Sequence, residues 1–132
     1  MATWSAPVRY GEVDQQGVVF NAHYLLYCDE TLNAYCRERE LLAFAESVRL
    51  VTSTLTWHGP ARWGDVIDVE ARCARIGTSS LAMAFDITAS GTPCCSVETV
   101  YVHADAAGSP QPIPDDVRAK LRPPGQQAPP RG

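Results

Sequence analysis

A chain of 132 residues fits one domain, and 45% hydrophobic with 20% charged residues is typical of a globular protein with a substantial core. The formal net charge is −4 and the eleven Lys and Arg residues are scattered, so the sequence carries no basic stripe for nucleic acid. No apolar run approaches the roughly 18 residues of a membrane-spanning helix. The N-terminus has no apolar segment typical of a signal peptide. We therefore expect a cytoplasmic protein that binds neither nucleic acid nor membrane.

The first predicted elements lead into the best helix candidate of the chain. A short extended piece over Pro7–Val13 precedes a Gly-containing loop at Asp14–Gly17. In Ala22–Glu40 apolar side chains recur at spacings of three and four residues, with charged side chains on the opposite face, which predicts an amphipathic helix. Asn21 is a residue type that caps helix N-termini, and we expect it to be the cap. A weaker helical turn is predicted at Leu41–Glu46.

After these helices the apolar pattern changes to a period of two, which predicts strands. Turn residues at Gly77–Thr78 and Ser90–Thr92 separate the last three strands, so we expect these strands to form an antiparallel meander. The link Gly59–Asp65 is longer and need not be a hairpin. The predicted strands cover Val51–His58, Ile67–Cys73, Leu81–Thr88 and Cys94–Ala104.

The composition changes near Gly108, after which seven of the ten prolines occur. Asp115–Leu121 is predicted as a short helix, because acidic residues lie in its first turn and basic residues near its end. Beyond Arg122 the sequence has little apolar surface to bury. We predict one domain over residues 1–122 and a Pro/Gly-rich flexible tail over residues 123–132.

The cysteines form neither a disulfide framework nor a zinc motif. Their number is odd, two are adjacent and no CxxC pair occurs. We expect reduced thiols that act as small core residues, no metal and no cofactor. The five residues are Cys28, Cys36, Cys73, Cys94 and Cys95.

One long helix with an apolar face beside about five strands predicts an α+β fold. The long central helix is expected to pack on a five-stranded antiparallel sheet. Edge strands expose unpaired backbone groups, which invites pairing with a second copy of the chain. We therefore expect an oligomer.

The most informative stretch for chemistry runs from Val8 to Glu30. It places the carboxylate of Asp14 a few residues before a helix N-terminus, whose first N–H groups lack partners within the helix and carry the positive end of its dipole. Such N–H groups can hold the oxyanion that forms on a carbonyl, and a nearby carboxylate can attack that carbonyl or activate water. Gly17 lets the loop turn sharply and approach a ligand. Taken alone, however, an Asp in such a loop usually caps a turn.

The same stretch resembles the hotdog-fold acyl-CoA thioesterases of the 4-hydroxybenzoyl-CoA thioesterase-like family. The resemblance covers roughly residues 6–121 and continues at Ala61–Asp65, at Gly77–Ser80 and at Ile113–Pro114. The residues that match the N-terminal motif are Arg9, Tyr10, Asp14, Gly17, Val18, Val19, Phe20, Asn21 and Tyr24.

The resemblance implies a hotdog fold and hydrolysis of an acyl thioester, with coenzyme A as the expected thiol. It implies that Asp14 is the catalytic carboxylate and that Asn21, with the backbone amides around it, stabilises the oxyanion. Many members carry His where this chain has Asn21, which cannot carry a proton at neutral pH, so we expect a mechanism centred on Asp14. Active sites of the family lie between subunits, which implies a homodimer or homotetramer. The implied substrate-binding residues are Gly17, Val18, Tyr24, Thr78 and Ser79.

Other interpretations stay open at this point. The thioester could sit on an acyl carrier protein of a polyketide or fatty-acid pathway, or the chain could be a non-catalytic module that binds acyl-CoA. A related scaffold also supports hydration of enoyl thioesters, but that chemistry is usually accompanied by a paired Asp and His motif, which this chain lacks. His58 and His103 lie on predicted strands and are interpreted as structural. Arg62, Arg72 and Arg75 could meet the phosphates of coenzyme A, and the acyl group itself is not predicted.

Overall fold

The computed structural model describes residues 2–122, and the predicted tail at residues 123–132 lies outside this range. The elements in chain order are β1 (Trp4–Pro7), α1 (His23–Glu38), α2 (Leu42–Glu46), β2 (Val48–Trp57), β3 (Val66–Ile76), β4 (Ser80–Ala89), β5 (Thr92–His103) and α3 (Asp115–Leu121). One turn of 3-10 helix, Tyr10–Glu12, lies between β1 and α1. None of the described helices is long and apolar enough to cross a membrane.

The strands form one antiparallel sheet in the order β1-β3-β4-β5-β2. Strands β3, β4 and β5 pair in sequence order, which confirms the predicted meander. Strand β2 pairs with β5, so the link from β2 to β3 crosses the sheet and is not a hairpin. Strands β1 and β2 are the two edges.

Helix α1 packs on one face of this sheet, and the core lies between them. Tyr24 and Tyr35 of α1 are almost completely buried, as are Ile67 of β3 and Phe85 of β4. Alternation along each strand turns every second side chain toward α1. Burial of a large apolar side chain contributes about 1.5–3 kcal/mol, so this shared layer holds helix and sheet together. The predicted α+β architecture, a long helix on a five-stranded antiparallel sheet, is confirmed.

Helix α3 is fixed against the turn between β3 and β4. The hydroxyl of Tyr35 donates to the carbonyl of Leu121 at 2.6 Å. The guanidinium of Arg118 donates to the carbonyls of Gly77 and Thr78 at 2.6 and 2.8 Å. The predicted helix Asp115–Leu121 is therefore confirmed, and it covers one end of the core.

The predicted role of the cysteines is confirmed in the main. All five thiols are free, and four of them are buried while Cys73 is partly exposed. Burial raises the pKa of the Cys28 thiol to about 12 and that of the Cys36 thiol to about 11. These thiols are therefore protonated at neutral pH and serve as small packing groups.

Two predictions near the N-terminus are wrong. The extended piece lies earlier than predicted, at Trp4–Pro7, because β1 pairs with β3, while Tyr10–Glu12 forms the 3-10 turn. Asn21 is not the cap of α1, which begins at His23 with Ala22 at the cap position and no side-chain hydrogen bond there. Ala22 already has helical backbone angles, so the chain enters the helix without a side-chain cap.

Candidate active site

A small three-stranded ladder precedes α1 and positions the predicted catalytic residue. Residues 18–20 form the central segment, and residues 12–14 and 61–63 lie antiparallel to it on either side, with Val13 opposite Val19 and Val18 opposite Arg62. Val19 is buried at 3% exposure and faces the core. Because successive side chains of a strand point to opposite faces, Asp14, Val18 and Arg62 all project from the outer face of this ladder.

The Asp14 side chain has one fixed oxygen and one open oxygen. The loop is closed by the Asp14 N–H, which donates to the Val18 carbonyl at 2.9 Å, and by the Gly17 N–H, which donates to the Asp14 carbonyl at 3.0 Å. Oδ1 accepts from the N–H of Gln16 at 2.8 Å and, more weakly, from that of Val18 at 3.4 Å. Gly17 has a φ of 77°, a conformation that glycine adopts without strain. Within residues 2–122, Oδ2 has no hydrogen-bond partner.

A cleft of about 380 Å³ opens beside this loop, between the start of α1 and the end of β2. It brings together three of the predicted site residues, Val18, Asn21 and Tyr24. Asp14 and Gly17 belong to the loop that supplies one wall. The remaining lining residues are Val19, Trp57, His58, Gly59 and Pro60.

The floor of the cleft is aromatic and uncharged. The rings of Tyr24 and Trp57 meet edge to face at 5.8 Å between centroids. The hydroxyl of Tyr24 accepts from the N–H of Ala61 at 3.3 Å and lies 3.5 Å from the Cys94 sulfur. Burial raises the pKa of the Tyr24 hydroxyl and that of the Cys94 thiol. Neither group is therefore a nucleophile at neutral pH.

The start of α1 supplies free backbone donors at the same cleft. The N–H of His23 donates to the Phe20 carbonyl at 2.9 Å, and that of Tyr24 to the Asn21 carbonyl at 3.3 Å. The N–H groups of Asn21 and Ala22 donate to no acceptor in the described part of the chain. Unpaired amides at a helix N-terminus can hold a negatively charged oxygen.

Glu12 supports the loop from behind and was missed by the sequence reasoning. Its carboxylate accepts from the Arg9 N–H at 2.9 Å, from the Arg9 guanidinium at 2.7 and 3.1 Å, and from the Tyr27 hydroxyl at 3.0 Å. Burial favours the neutral acid, but the hydrogen bonds from Arg9 and Tyr27 outweigh it and hold the pKa of Glu12 below its usual value. Glu12 is therefore an ionised anchor at the start of the ladder.

Two predicted residues lie far from the cleft within one chain. Thr78 and Ser79 form the turn between β3 and β4, at the opposite end of the sheet. Their carbonyls accept from the N–H groups of Ile113 and His103, both at 2.8 Å. Strand β4 has ten residues, which corresponds to about 30 Å between the two ends. A single chain therefore does not bring this turn to Asp14.

Trp57 and His58 line the cleft, although no motif in the sequence selects them as site residues. His58, which directly follows β2, was interpreted as structural, and its Nε2 lies 2.9 Å from the hydroxyl of Ser96 on β5. The available signal was their position next to the Gly59–Pro60 turn, since binding residues are found disproportionately on the loops that connect secondary-structure elements.

Comparisons with known proteins show the fold and the family of this chain. The family model of the thioesterase-like superfamily matches residues 8–121. A thioesterase from Thermus thermophilus, solved in complex with coenzyme A and Zn, has 26% identity and a TM-score of 0.83 over 89% of both chains. A predicted thioesterase from Bacillus stearothermophilus has 25% identity and a TM-score of 0.80, over 89% of this chain and 91% of that one. A 1,4-dihydroxy-2-naphthoyl-CoA thioesterase from Synechocystis, at 16% identity and a TM-score of 0.80 over 89% of this chain and 93% of that one, shares the fold. No curated protein matches this chain.

The chain belongs to the thioesterase-like superfamily. The predicted hotdog fold and the predicted enzyme class, a thioester hydrolase, are confirmed by this match and by the structural likeness.

Proposed function

We propose that this chain hydrolyses acyl-CoA, giving a carboxylic acid and free coenzyme A from the thioester and water. The observation that carries the proposal is the open Oδ2 of Asp14 on the outer face of the ladder, beside a cleft with unpaired helix amides. The Thermus thermophilus thioesterase that resembles this chain was solved with coenzyme A, which supports the choice of thiol.

In the proposed reaction Asp14 supplies the carboxylate. Its Oδ1 is held by backbone amides, so Oδ2 is oriented without the loss of further side-chain freedom. Oδ2 either attacks the thioester carbonyl carbon or takes a proton from the water that attacks it. In both routes the carbon–sulfur bond breaks, and the thiolate leaves with the electron pair and is then protonated. In the first route the acyl group is left on Asp14 as an anhydride, which water hydrolyses to the carboxylic acid and the free Asp14 carboxylate.

The amides of Asn21 and Ala22 stabilise the negative charge that develops on the carbonyl oxygen. They are already oriented by the start of α1, so little reorganisation accompanies the reaction. Asn21 is one of the residues that line the cleft, and its side chain makes no hydrogen bond within the described residues. We therefore assign the larger contribution to the backbone at Asn21 and a smaller one to its amide side chain.

We propose a homodimer, or a tetramer built from such dimers, formed through the β2 edge. Leu50 and Val51 on this edge are 51% and 56% exposed, and the outward backbone groups of β2 pair with no other strand in residues 2–122. A two-fold axis pairs identical edges antiparallel, which brings the far end of one sheet to the near end of the other. Thr78 and Ser79 of a second copy would then approach the cleft. Light scattering on wild type and on Val51→Lys measures this assembly.

The primary experiment is thiol release from a panel of aliphatic, aromatic and β-keto acyl-CoAs by wild type and Asp14→Asn. We expect turnover of at least one thioester by wild type and its collapse in the folded variant. Thioesters on an acyl carrier protein belong in the same panel, since release from these alone would move the function to the carrier-protein alternative. A folded wild type that releases no thiol from any of them would contradict the proposal.

A further inference from the structure

Arg62 occupies a defined position relative to Asp14. The N–H of Val19 donates to the Ala61 carbonyl at 2.8 Å and that of Trp63 to the Gly17 carbonyl at 3.3 Å. These bonds flank Val18 and Arg62, which are therefore a directly opposed pair that exchanges no hydrogen bond itself. Side chains of such a pair lie on the same face with their Cα atoms about 4.5 Å apart. Arg62 thus projects beside Val18, which lines the cleft.

The guanidinium of Arg62 is available to a ligand. The residue is exposed, and its backbone N–H is held by the Asp65 carboxylate at 2.8 Å. Its side chain makes no ion pair or hydrogen bond within residues 2–122. The backbone is therefore fixed while the charged end is free.

Arg72 and Arg75 differ from Arg62 both in the availability of the guanidinium and in their position relative to the cleft. Arg72 pairs with Asp86 and Arg75 with Glu98, each at 2.6 Å. Arg72 alternates with the buried residues of β3, and the irregularity between Cys73 and Arg75 shifts the pairing so that Arg72 and Arg75 oppose Ala84 and Ala82 of β4. Both arginines therefore lie on the sheet face opposite α1 and away from the cleft. Among these three arginines, Arg62 alone combines a free charge with a place at the cleft.

We propose that Arg62 binds the phosphate at the end of the pantetheine arm of the substrate, an inference that rests on the proposed function. Asp14 and Arg62 lie on the two outer strands of the ladder, roughly 10 Å apart by strand spacing. A substrate whose thioester carbonyl is held at Asp14 can therefore extend past Val18 toward Arg62. A pantetheine arm is long enough to span this distance, and a guanidinium can hold a phosphate through two parallel hydrogen bonds.

Arg62 is a binding residue in this scheme, because it meets the substrate far from the carbon–sulfur bond. Interactions that are equal in the ground state and the transition state lower KM without changing kcat. Loss of the charge should therefore raise KM for thioesters that carry the phosphate and leave kcat nearly unchanged. Thioesters of plain pantetheine, which has no phosphate, should be unaffected.

Direct titration tests the proposal without any need for turnover. Coenzyme A, 4′-phosphopantetheine and pantetheine are titrated into wild type, Arg62→Gln, Arg62→Lys and the matched control Arg72→Gln. We expect Arg62→Gln to weaken coenzyme A binding about 10- to 100-fold, as for a lost charge-assisted hydrogen bond, with partial recovery in Arg62→Lys. Pantetheine binding should not change, and Arg72→Gln should behave as wild type.

The three ligands also show which phosphate Arg62 contacts. An equal loss for coenzyme A and 4′-phosphopantetheine places Arg62 on the phosphate that coenzyme A shares with carrier proteins and supports the proposal. A loss for coenzyme A alone would place Arg62 on the nucleotide phosphates and overturn the proposed contact. Unchanged coenzyme A binding in Arg62→Gln, an equal loss for pantetheine, or no coenzyme A binding by wild type overturns it. Weakened binding in a chain that hydrolyses no thioester would instead leave Arg62 assigned and refute the proposed hydrolysis.

Discussion

Two loops of this molecule, at residues 14–18 and 105–109, have the same pattern and nearly the same hydrogen bonds. Each has Asp at the first position and a positive-φ Gly at the fourth, Gly17 and Gly108. In the second loop the Asp105 N–H donates to the Ser109 carbonyl at 3.0 Å, and the Gly108 N–H to the Asp105 carbonyl at 2.9 Å. Oδ1 of Asp105 accepts from Ala107 and Ser109 at 3.0 and 2.9 Å. The chain thus builds the same turn at both ends of the sheet.

The loops differ in what surrounds the second carboxylate oxygen. Oδ2 of Asp105 accepts from the Gln111 side chain at 3.2 Å, whereas Oδ2 of Asp14 has no partner within residues 2–122. The long helix α1 follows the first loop within five residues, and an extended segment follows the second. The turn itself is therefore a structural use of Asp and Gly. In the proposed function, the chemistry comes from the cleft and the helix amides beside the Asp14 loop.

The largest expected effect comes from Asp14→Asn compared with Asp105→Asn. Asn keeps the side-chain oxygen that accepts the turn hydrogen bonds, so both variants should fold. Loss of a catalytic carboxylate should lower kcat about 10²- to 10⁴-fold in Asp14→Asn, with little change in Asp105→Asn. Steady-state thiol release with far-UV circular dichroism measures both. Comparable activity in the two variants would mean that Asp14 only caps a turn.

Most of the fold was predictable from the sequence because its signals are periodic and local. The change from helical spacing to alternation predicted α1 and the last four strands, and the turns at Gly77 and Ser90 predicted the meander. The pairing of Trp4–Pro7 with β3 could not be predicted, because a four-residue edge strand gains its stability from its partner and carries almost no pattern of its own.

The site was predictable only where the motif is continuous in sequence. Asp14, Gly17, Val18, Asn21 and Tyr24 lie within eleven residues. Val18, Asn21 and Tyr24 line one cleft, and Asp14 and Gly17 lie in the loop beside it. The other wall, Trp57 and His58, arrives through the pairing of β2 with β5, and Arg62 through its pairing with Val18. Neither contact has a local signal. The buried role of Glu12 was hidden as well, because it depends on Tyr27 of α1.

Glu12→Gln should give the next largest effect. Within residues 2–122, no buried carboxylate supports the Asp105 loop as Glu12 supports the Asp14 loop. The substitution keeps the shape but removes the charge that accepts from Arg9 and Tyr27. Hydrogen bonds to a charged group contribute about 1.5–3 kcal/mol, and we expect a loss of this size in the free energy of unfolding by urea. Glu98→Gln, which removes an exposed pair with Arg75, should cost less than about 1 kcal/mol. Equal losses would show that Glu12 is no special anchor.

The difference in unfolding free energy between wild type and Glu12→Gln should depend on pH with a defined sign. The pKa of Glu12 in the fold lies below its ordinary value of 4.5. Its ionised form therefore stabilises the fold fully above pH 4.5, and this stabilisation is lost as the pH falls below that value toward the folded pKa. The difference in unfolding free energy between wild type and Glu12→Gln should shrink on acidification through this window. A difference that grows instead would contradict the assigned direction.

Gly17→Ala and Gly108→Ala test the loops as a matched pair. Both glycines have positive φ, at 77° and 89°, so a Cβ at either should cost about 1–2 kcal/mol of stability. A Cβ at Gly17 would meet nothing within 4 Å, and one at Gly108 would lie 3.3 Å from the flexible Arg49 guanidinium, so steric terms are small. We expect similar losses in urea unfolding but a loss of kcat only in Gly17→Ala. Activity lost equally in both would point to a global effect of the strain.

The smallest effect is expected for Asn21→Ala, which separates side chain from backbone at the start of α1. Since Ala22 holds the cap position without a side-chain hydrogen bond, the free energy of unfolding should change by no more than about 0.5 kcal/mol. If the backbone amides hold the oxyanion, kcat should fall less than about 10-fold, because removal of one oxyanion donor costs about 10²- to 10³-fold. A fall of that larger size at unchanged stability would instead show that the Asn21 side chain stabilises the oxyanion. The functional difference between the two loops would then depend on this side chain as well as on the backbone amides of α1.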